Sequence, residues 1–379
     1  MVKATLRDHG TRIAARTMSR APQAIVRRLQ GQPHIVDGQE LDPMTHVALR
    51  MLNGGPAATF ERFPLDKARE FIEVDAWTFS GRSRGLVREQ ISIPTRDGSI
   101  PARVYTPRGG TLTTPPGVLV YFHGGGWVVG SLDTADSVCA TIAKTTGMVV
   151  VSVDYRLAPE NPFPSGVNDS VDAFRWVRDH ASSFGTDARH VAVGGESAGG
   201  NISAVVSLDT RDDPEGGPMF QLLFMPVTDL SQKSNSYLLF GEGYFLTEAQ
   251  MDWYTDHYLR GAGSATDPRV SPLLADDLTG VAPAYVVVSG FDPLRDEGLA
   301  YADRLRQANV PVETVVHAGQ IHGFVNACLV SGAAHDAVLH AARAVLKAFQ
   351  GVAAQAAARP LPRFIPSTDE TVTALAPPK

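Results

Sequence analysis

A serine stands between small residues at positions 195–199, in the sequence GESAG, and this pattern can support nucleophilic chemistry. The apolar, β-branched run 190–194 before it predicts a short buried strand, and residues 198–209 predict a helix. Ser197 would then lie on a sharp strand-to-helix turn with an unfavourable backbone conformation, its hydroxyl beside the N–H groups of a helix start. Taken alone, the pattern fits a common small-residue turn equally well.

A second motif, HGGGW at 123–127, follows a predicted buried strand at 117–122. Consecutive glycines let backbone N–H groups come close to a carbonyl oxygen, as the stabilisation of a tetrahedral oxyanion requires. We assign these donors to the N–H groups of Gly125, Gly126 and Ala198. The two motifs, in this order and each after an apolar strand, predict ester hydrolysis through an acyl-serine intermediate.

The other residues of the HGGGW motif could hold the loop or line a pocket. We expect His123 and Gly124 to hold the loop, His123 through a hydrogen bond rather than by proton transfer. Trp127 could line a substrate pocket, although an aromatic residue after a tight loop equally fits packing. A phosphate-binding loop would need the pattern GxxxxGK[ST], which the sequence lacks.

A nucleophilic serine needs a base, and the base needs an orienting carboxylate, in the chain order Ser, Asp or Glu, His. Asp292 follows the strand-like run 284–289, and His322 follows the strand-like run 312–317. Both side chains would therefore lie at the edge of the sheet where the strand of Ser197 ends. This spacing predicts a Ser-His-Asp triad.

Four residues are alternatives for the base or its carboxylate. His317 lies closer to its strand end than His322 does, but no HGF sequence follows it. Asp296 and Glu297 fall where a helix begins, and they fit capping or charge complementation of its first turn. Asp154 also ends a strand but precedes the serine, which is the wrong order for this architecture.

The motifs together resemble the bacterial hormone-sensitive-lipase-like esterases, family IV of the α/β-hydrolase superfamily. The resemblance covers about residues 87–349 and rests on five segments: HGGGW at 123–127, DYRLAPE with FP at 154–164, GESAGG at 195–200, DPLRDEG at 292–298 and HGF at 322–324.

The resemblance implies Ser197 as nucleophile, His322 as base and Asp292 as orienting carboxylate. Two positions depart from the pattern without touching the triad. Glu196 stands where the larger subgroup has Asp, and Gln320 stands where an apolar residue is usual. Both could alter the polarity of the site.

The fold class predicted by the pattern is α/β: an α/β-hydrolase fold with a mostly parallel central sheet flanked by helices. Residues 86–94 and 100–105 predict a hairpin. Strands and helices then alternate, as expected for a parallel sheet whose active residues gather at the carboxyl ends of the strands. The predicted strands are 117–122, 148–154, 190–194, 221–225, 284–289 and 312–317, and the predicted helices are about 134–146, 165–183, 198–209, 296–309 and 332–350.

Two segments, the N-terminal stretch to about residue 80 and about 231–263, do not follow this alternation of strands and helices. The resemblance implies that they pack together as a helical cap. Tyr237, Phe240 and Tyr244 could line an apolar substrate pocket there, or could form the cap's own core. The domain prediction is therefore an N-terminal arm with cap helices at 1–80, core at 81–230, cap insertion at 231–263, core at 264–352 and a flexible tail at 353–379.

Composition agrees with the prediction of a soluble enzyme. The chain has 379 residues and a formal net charge of −6, so nothing recommends a nucleic-acid partner. Its two cysteines, Cys139 and Cys328, have no ligand-like spacing, and buried reduced thiols are expected. We expect no metal and no cofactor.

The first 30 residues carry seven basic residues and one acid, Asp8, with apolar residues at roughly helical spacing. Such a helix could lie on an anionic membrane, but a solvated arm or cap helix is the favoured interpretation. No secretory signal or transmembrane span is predicted, and we expect a cytoplasmic location. The resemblance implies a homodimer through the last strand's edge, at 312–316.

The resulting functional prediction is a carboxylesterase of class EC 3.1.1 that needs no cofactor. The resemblance implies short- to medium-chain acyl esters as substrates. An amidase or N-deacylase with the same triad stays an alternative, as does a non-catalytic receptor on the same fold. The complete set Ser197, Asp292 and His322 argues against the receptor.

Overall fold

The computed structural model describes residues 4–54, 59–79, 83–108, 117–261 and 263–358. The predicted tail begins inside the last helix, and its residues 359–379 lie outside the described residues. The helices are α1 Leu6–Met18, α2 Gln23–Gln30, α3 Pro43–Leu52, α4 Leu65–Phe79, α5 Asp136–Thr146, α6 Ser165–Asp179, α7 Ala198–Asp209, α8 Asn235–Phe240, α9 Glu248–Tyr258, α10 Arg295–Gln307 and α11 Gly332–Ala358. The strands are β1 Ile35–Val36, β2 Gln39–Glu40, β3 Leu86–Thr95, β4 Gly98–Pro107, β5 Val118–Phe122, β6 Val149–Val153, β7 Val191–Glu196, β8 Gln221–Phe224, β9 Ala284–Phe291 and β10 Val312–Ile321.

The described residues contain an eight-stranded sheet with the order β10-β9-β8-β7-β5-β6-β4-β3. Five neighbouring pairs are parallel: β6 with β5, β5 with β7, β7 with β8, β8 with β9, and β9 with β10. The pairs β3 with β4 and β4 with β6 are antiparallel. Sequential strands of the parallel part are joined through helices, as crossover connections require. The predicted fold class, a mostly parallel sheet of the α/β-hydrolase type, is confirmed.

Helices cover both faces of this sheet, which explains why its inner strands are mostly apolar. Residues of β5 alternate between two clusters: Val118, Val120 and Phe122 pack with α6 and α7, whereas Leu119 and Tyr121 pack with α5 and α11. A strand buried on both faces shows no polar alternation. The inner strands therefore have mostly apolar sequences, with valines in β5, β6, β7 and β9 and leucines in β8.

The observed boundaries differ from the predicted ones mainly where a strand reaches the site. Strand β7 continues through two glycines to Glu196, and β9 continues to Phe291. The edge strand β10 extends to Ile321 after a register shift, beyond the predicted end at 317. Glycines and polar residues are poor strand formers, so the sequence pattern stops short of segments that sheet pairing extends.

The N-terminal helices and the segment with α8 and α9 contact each other above the carboxyl ends of the strands. The ring of Phe60 lies 6.0 Å from each of the rings of Trp253 and Tyr254 on α9. Tyr258 of the same helix stacks on Trp127 with ring centroids 4.1 Å apart. These aromatic contacts tie both segments to the loop after β5. None of the helices in the described ranges is long and apolar enough to cross a membrane.

Candidate active site

Ser197 lies between β7 and α7 with φ +57° and ψ −118°, a backbone conformation that a residue with a side chain rarely adopts. Its N–H donates to the Phe224 carbonyl at 2.9 Å, which ties the turn to the neighbouring strand β8. A side chain at position 199 would overlap the carbonyl of Phe122, so the second glycine of the motif is a packing requirement. The turn therefore holds a strained serine at the end of the sheet.

A continuous hydrogen-bonded chain joins the serine to a buried carboxylate. The Ser197 Oγ lies 2.9 Å from His322 Nε2, and His322 Nδ1 lies 2.8 Å from Asp292 Oδ2. Asp292 is fully buried, and its Oδ1 accepts the Leu294 N–H at 2.9 Å. Because the carboxylate can only accept, Nδ1 carries the proton, which leaves Nε2 free to accept the serine proton.

The residues considered as alternatives for the base or its carboxylate make other contacts. His317 packs against the ring of Phe324 at 5.1 Å, and burial lowers its pKa. Asp296 accepts the N–H of Ser236 at 2.8 Å, and Glu297 accepts the N–H of Thr228 at 2.7 Å. Both acids fall in the first turn of α10, but their side chains anchor the segments after β8 rather than the imidazole of His322.

The glycine loop turns sharply beside the serine. Gly125 and Gly126 have φ values of +111° and +57°, and a Cβ on Gly126 would overlap the ring of Tyr254. Neither of their N–H groups donates to an acceptor within the described part of the chain. The loop therefore has two backbone donors available for a bound group, and it lies next to the N-terminus of α7, where Ala198 is the first residue.

His123 and Tyr155 hold the start of this loop. His123 is fully buried, and its Nδ1 donates to the Gly124 carbonyl at 2.7 Å. The Tyr155 hydroxyl donates to the His123 carbonyl at 2.8 Å, and the two rings stack 4.4 Å apart. Burial lowers the pKa of His123 below its usual value, and the nearby Asp154 offsets only part of this effect. Sequence reasoning missed Tyr155, although it lies in the quoted DYRLAPE segment.

Glu196 makes a contact that the sequence did not predict, although its departure from the common Asp was noted. Its Oε1 accepts the Gly124 N–H at 2.8 Å, and the residue is 2 % exposed. Burial raises the pKa of Glu196 to about 7. A carboxylate inside an otherwise apolar strand end, directly before the serine, was the available signal for this contact.

The four aromatic residues considered for substrate binding lie in packed surroundings. Trp127 is 1 % exposed and stacks on Tyr258, and Tyr237 and Phe240 are buried, Phe240 against Phe291 with ring centroids 5.3 Å apart. Tyr244 is half-buried and lines a cavity of about 260 Å³ beside α3. Its hydroxyl lies 2.6 Å from His34 Nε2. These contacts describe packing, the alternative that the sequence left open, and substrate contact by these residues stays a prediction.

Metal-binding side chains and thiols are two further kinds of group that could take part in chemistry. In the described ranges, no group of three or more His, Cys, Asp and Glu side chains could hold a metal ion. Cys139 and Cys328 are both buried and free, as the sequence predicted. Burial raises the pKa of the Cys328 thiol to about 11, so it stays protonated near neutral pH.

The known proteins to which this chain is similar include several ester hydrolases. A family model described as alpha/beta hydrolase fold matches residues 119–326. A carboxylic ester hydrolase, LipN, of Mycobacterium tuberculosis is 42 % identical over 311 residues, which cover 80 % of this chain and 81 % of that protein. An ethyl acetate hydrolase of Pseudomonas putida is 35 % identical over 292 residues, which cover 75 % of this chain and 92 % of that protein.

The solved structures that match include an ester-hydrolase from the metagenome of Lake Arreo, in complex with a derivative of bipyridine phosphonate. It superposes with a TM-score of 0.76 at 40 % identity, covering 82 % of this chain and 99 % of that one. An esterase of the archaeon Pyrobaculum calidifontis matches with a TM-score of 0.74 at 37 % identity, covering 81 % of this chain and 98 % of that one.

Proposed function

The chain belongs to the hormone-sensitive-lipase-like family of α/β-hydrolases, and we propose that this carboxylic ester hydrolase works through an acyl-serine intermediate on Ser197. The observation that carries the proposal is the hydrogen-bonded chain from Ser197 through His322 to Asp292, with links of 2.9 and 2.8 Å. That arrangement of nucleophile, base and orienting carboxylate is what acyl transfer to a serine needs.

In the acylation step, Ser197 Oγ attacks the ester carbonyl carbon while His322 Nε2 takes the serine proton. Asp292 keeps the imidazole oriented and stabilises its charged form. The carbonyl oxygen becomes an oxyanion, which the N–H groups of Gly125, Gly126 and Ala198 stabilise. When this intermediate collapses, the ester C–O bond breaks and His322 gives its proton to the leaving alcohol.

Deacylation repeats these steps with water as nucleophile. His322 takes a proton from the water molecule, which attacks the acyl carbon and forms a second oxyanion in the same place. Collapse of that intermediate breaks the bond to Ser197 Oγ, returns the proton to the serine and releases the carboxylic acid. The free enzyme is regenerated without a cofactor.

The cap and the assembly extend this proposal. The aromatic contacts between Phe60 and α9 support a cap built from the N-terminal helices and segment 231–263. The position of β10 at the sheet edge supports a homodimer through 312–316. The contacts of α1 favour a cap helix over membrane contact, since Arg12 lies 4.2 Å over the ring of Trp77 on α4. A cytoplasmic location stays a prediction.

Hydrolysis of p-nitrophenyl esters of increasing acyl length tests the proposal. We expect the highest kcat/KM with short or medium chains, and a loss of at least about 10³-fold in Ser197→Ala. Ser203→Ala is the matched control, because it removes a buried hydroxyl of the adjoining helix α7 that donates to the Gly199 carbonyl at 2.8 Å. A folded wild type that cleaves amides but no ester, or binds ligands without turnover, would contradict it.

A further inference from the structure

Glu196 lies at the end of β7, directly before the serine, where its side chain is almost completely shielded from water. Burying a carboxyl group is costly unless polar groups compensate it. Its Oε1 bonds the Gly124 N–H at 2.8 Å, so this carboxyl connects the strand of the nucleophile to the glycine loop.

The peptide planes of the loop are fixed one after another. The plane between His123 and Gly124 is held at both ends, its N–H by Glu196 and its C=O by the Tyr155 hydroxyl at 2.8 Å. The next plane has its C=O bonded to His123 Nδ1 at 2.7 Å. Because C=O and N–H of a trans peptide point in opposite directions, this bond aims the N–H of Gly125 the other way, where it has no acceptor.

The charge of Glu196 depends on pH within the range in which esterases are assayed. Burial raises its pKa to about 7, and the hydrogen bond from the Gly124 N–H and the interaction with His322 offset only part of this rise. The other ionisable groups that interact with it are Tyr121 on β5, Cys139 on α5 and Tyr155 after β6, and burial raises the pKa of all three. These three stay neutral near pH 7, so Glu196 is the group among these four whose charge changes near that pH.

We propose that Glu196 is a positioning residue: through the Gly124 N–H it fixes the peptide planes that aim the oxyanion donors, and its ionised form does this best. An ionised acceptor makes a stronger hydrogen bond than a neutral one. Its negative charge also favours the imidazolium that forms on His322 in the transition state. The inference rests on the acyl-serine function proposed above.

The test compares Glu196→Ala, which removes the acceptor, with Glu196→Gln, which keeps an acceptor oxygen without a charge. Asp169→Asn is the matched control, because Asp169 is also fully buried and accepts a backbone N–H, that of Arg156, at 3.0 Å. For each variant we would measure kcat and KM between pH 6 and 8.5 and the affinity for an alkylboronic acid, whose serine adduct is tetrahedral. Circular dichroism would verify that each variant folds.

For Glu196→Ala we expect kcat to fall about 10- to 100-fold with KM nearly unchanged, below the roughly 10²- to 10³-fold loss for a missing oxyanion donor. The affinity for the boronic acid should fall by a similar factor. The ratio of wild-type to Glu196→Gln kcat should be near one at pH 6 and should rise through pH 7. Asp169→Asn should not change either quantity.

Two results would overturn the inference. One is a Glu196→Ala enzyme that is folded and retains the wild-type kcat and boronic acid affinity. The other is a wild-type to Glu196→Gln ratio that stays flat across the pH range. Both outcomes are separate from failure of the proposed function, which would show itself as full activity in Ser197→Ala.

Discussion

Three side chains from three different strand ends make the proposed active site, and each reaches it through a local feature of its own turn. Ser197 is held in a strained conformation after β7, and His322 follows the extended end of β10. Asp292 follows β9, where the N–H of Leu294 and the start of α10 surround its carboxylate. A helix start and a backbone donor both stabilise the charge that orients the imidazole.

The buried carboxyl group of Glu196 gives a prediction about how the stability of the fold depends on pH. A carboxyl group whose pKa rises on folding stabilises the fold while it is protonated, and this contribution is lost as the pH rises through the folded-state pKa. For Glu196 that value is about 7, against the usual 4.5. Glu196→Gln should therefore gain about 2 kcal/mol of stability relative to wild type as the pH rises from 5.5 to 8.5.

Thermal unfolding at several pH values measures this difference. Other buried acids are common to both proteins and cancel in the comparison. A difference in Tm between Glu196→Gln and wild type that does not change with pH would show that Glu196 keeps an ordinary pKa in the folded protein.

At the scale of elements, the loop after β5 connects the sheet to the cap. Gly126 has φ +57° and lies directly under the ring of Tyr254 on α9, while Trp127 stacks on Tyr258 one helical turn away. Helix α9 therefore packs on the same loop that carries the proposed oxyanion donors. A shift of either element would move the other.

Gly126→Ala tests this coupling. We expect kcat to fall at least 10-fold and Tm to fall, because the added Cβ is strained at this φ and meets the Tyr254 ring. Gly216→Ala is the matched control: its φ is +86°, but a Cβ there meets nothing within 4 Å. Equal effects of the two substitutions on kcat would contradict the coupling between α9 and the loop.

The sequence predicted the α/β-hydrolase fold because inner strands and covering helices have strong local patterns. The spacing of Ser197, Asp292 and His322 also predicted a common edge of the sheet, where the structure brings them together. The bonds of Glu196 and Tyr155 to the glycine loop were not predicted, since they join segments distant in sequence. Whether an aromatic residue lines a pocket depends on tertiary packing, which no local pattern encodes.

For the whole molecule, the sheet order leaves β10 at one edge of the described sheet, beyond β9. Val316 in the middle of this strand is 45 % exposed. An exposed edge strand offers unpaired backbone groups to a second strand. A second copy of the chain pairing there would continue the sheet from one subunit into the next.

Val316→Arg should convert such a dimer to a monomer, because the change places like charges close together between the paired strands. Leu238→Arg is the control, since Leu238 is 84 % exposed on α8. Sedimentation velocity of the wild type and both variants would measure the change. A monomeric wild type, or a Val316→Arg dimer as stable as the wild type, would refute the assembly at this edge.

The most direct test of the central claim is covalent labelling by a fluorophosphonate, followed by peptide mapping with mass spectrometry. The account predicts one modified residue, Ser197, with loss of activity in proportion to labelling, and no labelling in Ser197→Ala. Slower labelling of His322→Ala is also expected, since the base activates the serine. An active enzyme that stays unlabelled, or is labelled at another residue in parallel with inactivation, would contradict the acyl-serine mechanism.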